Sequence, residues 1–390
     1  MRREAEQVFC FFCIEKILGS MLTRKELYNI PGWHTRRHLV VIESDDWGSI
    51  RMPSRDVYDE FLRRGIRVDR DPYCRYDCLE SREDMARLFE VLDSVKDRFG
   101  NPAVVTANTV AANPVFDKIE SSGFKQYFYE PFAETYRRNP SFDGTMDMWH
   151  QGMEARLFRP QFHGREHLNV KKWLQVLQQG ESVTMQAFHL GTFGLTQLVD
   201  SSIMEYYMGA FNSGLDEDIA YYEELLTEGL NMFEEAFGFR SESFIATTYE
   251  WSPKIEPCLV RLGVKYIQGT VCQKIPLDND TTVKYVRRCF QGTKSRSGLV
   301  RLMRNCYFEP STKPGFDFVD DCLHRISLAF RWGKAANICS HRVNYIGTIH
   351  PENADRNLPE LRRLLQTIVK QWPDVEFVSS DQLGHIITND

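Results

Sequence analysis

The sequence predicts an α/β protein, a parallel sheet or barrel folded as one domain with inserted loops. Three observations carry that reading. The run Leu39-Val40-Val41-Ile42-Glu43-Ser44-Asp45-Asp46-Trp47-Gly48 is apolar and β-branched, then stops in two adjacent carboxylates, as a buried parallel strand does when it delivers charge to the carboxyl edge of a sheet. Short apolar runs then alternate with amphipathic segments over the whole length, which is the rhythm of βα units. No linker rich in Gly, Ser or Pro, internal repeat or low-complexity tract interrupts that rhythm, and 390 residues suffice for one large core.

The elements follow in order. After the opening strand, helical spacing covers Pro53 to Gly65 and Ser81 to Phe99, the second with Ser81 as cap and Glu83 and Asp84 in its first turn. Ala103 to Ala111 reads as a strand, and 113–160, with four prolines and many aromatics, as an irregular functional segment or lid. Phe158 to His163 is predicted as a strand, Leu168 to Gln179 as a helix and Thr184 to Leu190 as a strand. Asp216 to Phe237 is a strong amphipathic helix that opens on three acids and closes at Gly238. Strands are expected at Ser243 to Thr248, Val264 to Gly269 and Gly298 to Tyr307, and helices at Lys254 to Leu262 and Phe316 to Trp332. The last third gives strand Ala336 to His341, helix Leu358 to Trp372, strand Val375 to Val378 and a short final helix.

Composition narrows the function classes. Apolar content of 42%, charged content of 26% and a formal charge of -6 describe a folded protein without the basic face that nucleic acid requires. No apolar run reaches the length of a membrane-spanning helix. Val8 to Ile14 is too short, and too closely flanked by acids, for a signal peptide. The ten cysteines form no framework; Cys10 and Cys13 have metal or redox spacing but no second pair, and Cys74 and Cys78 stand alone. Scattered thiols of this kind read as reduced core residues of a cytoplasmic protein. Residues 1–37 read as an extension and lead-in, and 38–388 as the barrel.

The chemistry concentrates in a few places. Adjacent strand residues face opposite ways, so Asp45 and Asp46 can serve two roles only where the strand ends or bulges. In Gln161-Phe162-His163-Gly164-Arg165-Glu166-His167 two histidines lie four apart, which on one face of a helical turn brings the imidazoles to about 6 Å, a spacing suited to one divalent cation. Gly164 stands where a zincin would carry Glu. A third, harder ligand is needed to leave positions open for water and substrate, and Asp45 or Asp46 can supply it.

On these residues the sequence resembles the NodB-homology polysaccharide deacetylases, carbohydrate esterase family four, whose first motif ends a strand in Asp-Asp and whose second is His-x-x-x-His. The resemblance implies a distorted (β/α) barrel of the polysaccharide deacetylase type. It makes Asp45 the general base, and Asp46, His163 and His167 the metal triad for one divalent ion, zinc before cobalt or nickel. The late general acid matches His341, which ends the apolar run Asn337-Ile338-Cys339-Ser340; His350, in a Pro-containing loop, is its competitor. The family's third motif carries an Arg that pairs with the base Asp. Here the corresponding run, Phe244 to Trp251, has none, and Arg304, at the end of the Leu299 to Met303 run, is the candidate cation. The acid and Trp of the fourth motif have no match, Asp320 and Asp321 reading as solvated helix charge.

The implied activity is metal-dependent N- or O-deacetylation of an acetylated saccharide. Trp47, Tyr249 and Trp251 are candidates to stack the sugar, and a backbone N–H following Trp47 or Tyr249 to meet the oxyanion. Two other readings stand beside it: a metal-dependent hydrolase of a non-sugar linear amide, and a saccharide-binding protein with a residual site.

Overall fold

Eight parallel pairings join nine strands into a sheet that is almost a closed barrel. The structure, a computed structural model, describes residues 24–203, 207–277 and 284–390; Val8 to Ile14, Cys10 and Cys13 lie outside them. The strands are β1 (Leu39–Trp47), β2 (Val105–Thr109), β3 (Phe158–Phe162), β4 (Ser243–Phe244), β5 (Tyr266–Thr270), β6 (Val300–Arg304), β7 (Cys306–Tyr307), β8 (Ala336–His341) and β9 (Glu376–Phe377). Their spatial order is β6-β5-β4-β3-β2-β1-β8-β7, with β9 paired to the first two residues of β1. Closure comes from the chain itself. The two ends of the sheet are joined at Asn305, whose N–H donates to the Asn337 carbonyl at 3.1 Å and whose Oδ1 accepts from Asn337 N at 2.9 Å.

Alternation along β1 explains how the barrel interior becomes charged at one end only. Leu39 and Val41 point into an apolar plug with Tyr266, Val300, Leu302 and Leu383. Val40 and Ile42 face the helical layer. Two residues further on, the inward row becomes Glu43 and Asp45, both buried against Arg304. The plug therefore closes the amino end and the charged layer opens at the carboxyl end, where α/β barrels keep their chemistry. Register with β8 sets Asp45 opposite His341, and β2 pairs Thr109 with Phe162 of β3, so that His163 N donates to the Thr109 carbonyl at 2.9 Å.

Several expectations are corrected. Thr184 to Leu190 is not a strand: Ser182–His189 is helical, because Glu181 caps it by accepting from Val183 N at 3.0 Å and Thr184 N at 2.6 Å. The 113–160 segment is not irregular throughout; it forms a small hairpin, Ala112–Pro114 with Tyr129–Pro131, and a helix, Thr145–Glu154. Ser243 to Thr248 shortens to the two residues of β4, and the Gly298 to Tyr307 strand is broken at Asn305. The helix expected from Leu358 begins at Pro351 and runs through Pro359. A hairpin of Cys272–Pro276 and Lys284–Arg288 follows β5 and was not foreseen. Of the eight described cysteines, all free, seven are buried and Cys272 is exposed. No helix among the described residues is long and apolar enough to cross a membrane.

Two insertions build a second core above the carboxyl end. Tyr58, Phe61, Cys74 and Cys78 from one pack with Val183, Leu195 and Ile203 from the other.

The helix Asp216–Phe237 presses Gly229 against Phe162 and the loop after it: a Cβ there would stand 2.7 Å from Phe162 Cζ and 3.1 Å from Arg165 Cα. Helix propensity alone makes Gly229→Ala a gain of about 1 kcal/mol. Overpacking against a ring and a backbone atom costs about 1–3 kcal/mol, so the variant is expected to be net destabilised, read as a lower denaturant midpoint; an unchanged or higher midpoint contradicts the packing described.

Candidate active site

The strand β1 ends in a bulge that separates its two aspartates. Pairing with β2 loses register between Ser44 and Trp47, and Asp46 takes a left-handed backbone with φ 76°. Asp45 stays in the inward row, while Asp46 swings to the other side of the strand end.

Asp45 is clamped. Arg304 donates from Nη1 to Oδ2 at 2.8 Å and from Nη2 to Oδ1 at 2.6 Å, and Asn108 Nδ2 donates to Oδ1 at 2.7 Å. The same guanidinium donates from Nε to Glu43 Oε2 at 2.8 Å and from Nη1 to the Tyr249 hydroxyl at 2.8 Å. Burial pushes the Asp45 carboxyl up, but Arg304 outweighs it and holds the group at about 2. Glu43 shares the cation less favourably, and burial raises it.

Asp46, His163 and His167 converge. Asp46 Oδ1 lies 3.7 Å from His163 Nε2 and 3.4 Å from His167 Nε2, and one ligand atom from each of the three falls within 4.8 Å of the others. Tetrahedral ligands about 2.0–2.2 Å from a common ion stand roughly 3.4 Å apart, so the donor set fits a divalent metal. Two further observations agree. His163 Nδ1 is bonded to the Ile245 carbonyl at 2.9 Å, which leaves the Nε2 lone pair directed inward, and that buried Nε2 has no hydrogen-bond partner among the described residues. Burial lowers His167 to about 3, keeping it in the neutral form that ligation requires. Arg51 Nη2 sits 3.1 Å from Asp46 Oδ1, the principal influence offsetting burial in holding that carboxyl well below its usual range.

The two histidines do not lie on a helical turn. They bracket an irregular loop in which Gly164 has φ 114°, and their rings meet edge to face with centroids 5.3 Å apart. The intervening residues hold that loop: Arg165 donates to Glu166 from Nε at 2.6 Å and from Nη2 at 2.8 Å, reaches Glu228 at 2.5 Å, and stacks on Tyr129 at 4.0 Å.

His341 stands beside Asp45 on the adjacent strand, Nε2 to Oδ2 at 3.7 Å, and its Nδ1 is bonded to Glu309 Oε1 at 2.7 Å. Burial opposes its charge, yet Glu309, with Asp45 and Asp46, raises it to about 9. Sequence reasoning missed Glu309, which follows the run Cys306-Tyr307-Phe308 as Glu43 follows Ile42; an acid ending a short apolar strand was the available signal. Asp320 and Asp321 are remote helix residues, as expected. His350 stands at the start of the helix Pro351–Gln371, and its Nδ1 is bonded to Glu352 at 3.0 Å and to Arg55 at 3.3 Å instead.

Two stacking candidates are corrected. Trp47 is 1% exposed, packed edge-on to Trp149 and Phe158, and Trp251 is 2% exposed with Nε1 bonded to Glu256 at 3.3 Å; both indoles belong to the core. Tyr249 does reach the site, held by Arg304, in a loop where Thr248 and Tyr249 both have left-handed backbone, φ 57° and 58°. The two proposed oxyanion donors are engaged: Gly48 N donates to Glu80 Oε1 and Glu250 N to the Thr247 carbonyl, each at 3.3 Å.

No family model matches the chain, and no curated protein matches it. Among solved structures it is similar to two provisionally named polysaccharide deacetylases. The one from Mycobacterium smegmatis is 12% identical, with 92% of this chain and 93% of that one covered and a TM-score of 0.42. The one from Pseudomonas aeruginosa PAO1 is 13% identical, with 90% of each covered and a TM-score of 0.45. Puue allantoinase is also similar, at 13% identity, 94% of each chain and a TM-score of 0.40. Likenesses this distant leave function to be read from the side chains themselves.

Replacing Arg304 by Met leaves Glu43 and Asp45 buried with no cation, a loss of about 3–5 kcal/mol; Arg304→Lys is expected to recover only part of it, because the two-sided fork is gone. Denaturation midpoints of the two variants check the order. The raised His341 also makes a signed prediction for the metal-free protein. Its contribution to stability is full below about 6.5 and is lost as pH rises through about 9, an effect on the order of 3 kcal/mol. His341→Gln is expected to flatten that slope, and an equal slope in the variant would show that another group is responsible.

Proposed function

We propose that the chain is a metal-dependent hydrolase that removes an acetyl group from an acetylated saccharide, most readily an N-acetyl group. The observation that carries this is the convergence of Asp46, His163 and His167, with the buried His163 Nε2 free of any hydrogen bond to a described residue, beside an ionised Asp45 and a protonated His341. One carboxylate and two imidazoles leave coordination positions open and suit zinc, with cobalt or nickel as substitutes. When bound, such an ion supplies Lewis-acid polarisation of a carbonyl and acidifies water.

The chain's own residues supply the proton transfers. Asp45 takes the proton of the attacking water. A carboxylate held at about 2 is always in the accepting form, at the expense of basicity, so its strength lies in orientation by Arg304 and Asn108. His341, kept protonated through neutral pH by Glu309, gives a proton to the leaving nitrogen as the C–N bond breaks. The 3.7 Å between His341 Nε2 and Asp45 Oδ2 puts donor and acceptor on one side of the mouth, so the proton gained by one can be returned by the other.

A second reading, hydrolysis of a non-sugar linear amide, is favoured by the loss of Trp47 and Trp251 to the core, which removes two of three sugar-stacking faces. Scattered free thiols support a reducing, cytoplasmic setting.

Acetate release should vanish on chelation and return with zinc. Asp45→Asn should lower kcat by about 10²–10⁴ while metal content stays at that of the wild type, whereas His163→Ala should lose metal and activity together. Unchanged acetate release by Asp45→Asn, or an unaltered metal content in His163→Ala, contradicts the assigned roles.

A further inference from the structure

We propose that Tyr73 determines specificity at this site, its hydroxyl donating a hydrogen bond to an oxygen on the leaving-group side of the substrate, next to His341. The inference rests on the hydrolase reading above and sharpens it, because it asks for a leaving amine with a neighbouring hydroxyl or ring oxygen, as an amino sugar has.

The position of Tyr73 is fixed from two sides. It lies in the short helix Pro72–Tyr76, where Asp71 accepts from Tyr73 N at 2.9 Å and, through its other oxygen, from Thr196 Oγ1 at 2.6 Å. The next residue, Cys74, donates to the Gly194 carbonyl at 3.5 Å and is buried in the core shared with Leu195 and Ile203. Two insertions thus meet around this one turn and hold the Tyr73 ring edge-on to His341, with centroids 5.4 Å apart and planes at 83°.

Among the described residues the hydroxyl has no hydrogen-bonding task. Other tyrosines of the region are satisfied within the protein: Tyr249 accepts from Arg304 at 2.8 Å, Tyr136 donates to Glu80 at 2.5 Å, and Tyr345 donates to Ser340 at 2.7 Å. Tyr73 is half-buried, and its phenol makes no hydrogen bond to a described residue. Burial, reinforced by Glu309 and Asp46, raises it well above its ordinary value, so it is a neutral O–H donor lying in the field of both the metal-binding carboxylate and the partner of His341. A neutral donor beside the acid that protonates the leaving group suits a neutral oxygen on that group; it neither repels the ammonium that forms nor competes for the metal.

Tyr73→Phe keeps the ring and its contact with His341 and removes only the hydroxyl. The experiment compares wild type and variant, both zinc-loaded, on an N-acetylglucosamine oligomer and on an N-acetylated alkylamine without hydroxyls. The expected result is a loss of about tenfold in kcat/KM on the sugar, the worth of one neutral hydrogen bond, carried mainly by KM, with a clearly smaller loss on the alkylamide and an unshifted denaturation midpoint. An equal loss on both substrates, no loss on the sugar, or a wild type active only on the alkylamide would overturn the proposal. A zinc-loaded wild type that releases acetate from neither overturns the hydrolase reading, and the role of Tyr73 with it.

Discussion

One guanidinium holds two buried carboxylates on the same strand, and the rest of the site is arranged around it. Along the inward row of β1, apolar residues give way to Glu43 and Asp45, both removed from water. An uncompensated carboxylate in such a place costs several kcal/mol, and two cannot be kept without a cation between them. Arg304 meets the need through its shape: Nε serves Glu43 and the two Nη groups serve Asp45. A lysine would offer one point of charge where two separated edges are required. The division is unequal. Asp45 takes the bidentate side and stays ionised, while Glu43, supported also by Ser380 Oγ at 2.8 Å, bears the cost of burial as a raised pKa.

The strand end does the complementary work of sending Asp46 elsewhere. A flat strand would leave consecutive side chains on opposite faces with no control over where the second one points. The register shift and the left-handed Asp46 aim it at the loop after β3. Backbone of this kind costs on the order of 1–3 kcal/mol per residue, and it is concentrated: of the five described non-glycine residues with positive φ, Asp46, Thr248 and Tyr249 surround the site. Asp46 gains Arg51 and the two histidines, and Tyr249 gains Arg304, so the strain sits where charge pairing offsets it.

Much of this was legible because strand ends are legible. The acids of β1, the late His341 and Arg304 each close a short apolar run, and that local pattern survives in a bare sequence. The pairing of Asp45 with Arg304 was only a candidate, since 259 residues separate them and nothing local connects their strands. The spacing of His163 and His167 brings the two rings together for a different reason than the one expected: a loop held by Arg165 and Glu166 does so where a helical turn was anticipated. Trp47 and Trp251 misled because an indole beside a motif looks the same whether it faces solvent or core. Glu309, Arg51 and Tyr73 were missed for a shared reason: each acquires its meaning from a partner distant in the chain, and no periodicity marks such a partner.

The charges around the mouth form two alternating chains. Inside the barrel run Glu43, Arg304, Asp45, His341 and Glu309, each in contact with the next. Behind the strand end run Asp46, Arg51, Asp77, Arg342 and Glu80, linked in the same way at 2.7–3.4 Å. Arg342 follows His341 directly and also donates to the Ser49 carbonyl at 2.9 Å, so the second chain ties the strand of His341 to the loop that follows Asp46. Each chain begins and ends in a carboxylate, and with every group ionised each carries one negative charge in excess. In a low-dielectric interior that excess is costly, and the two chains approach each other at Asp45 and Asp46. A divalent cation held by Asp46 and the two histidines would lie at that junction and balance both. The buried acids are therefore poorly explained as stabilisers of the fold alone, and the ion proposed above would supply the charge that balances them.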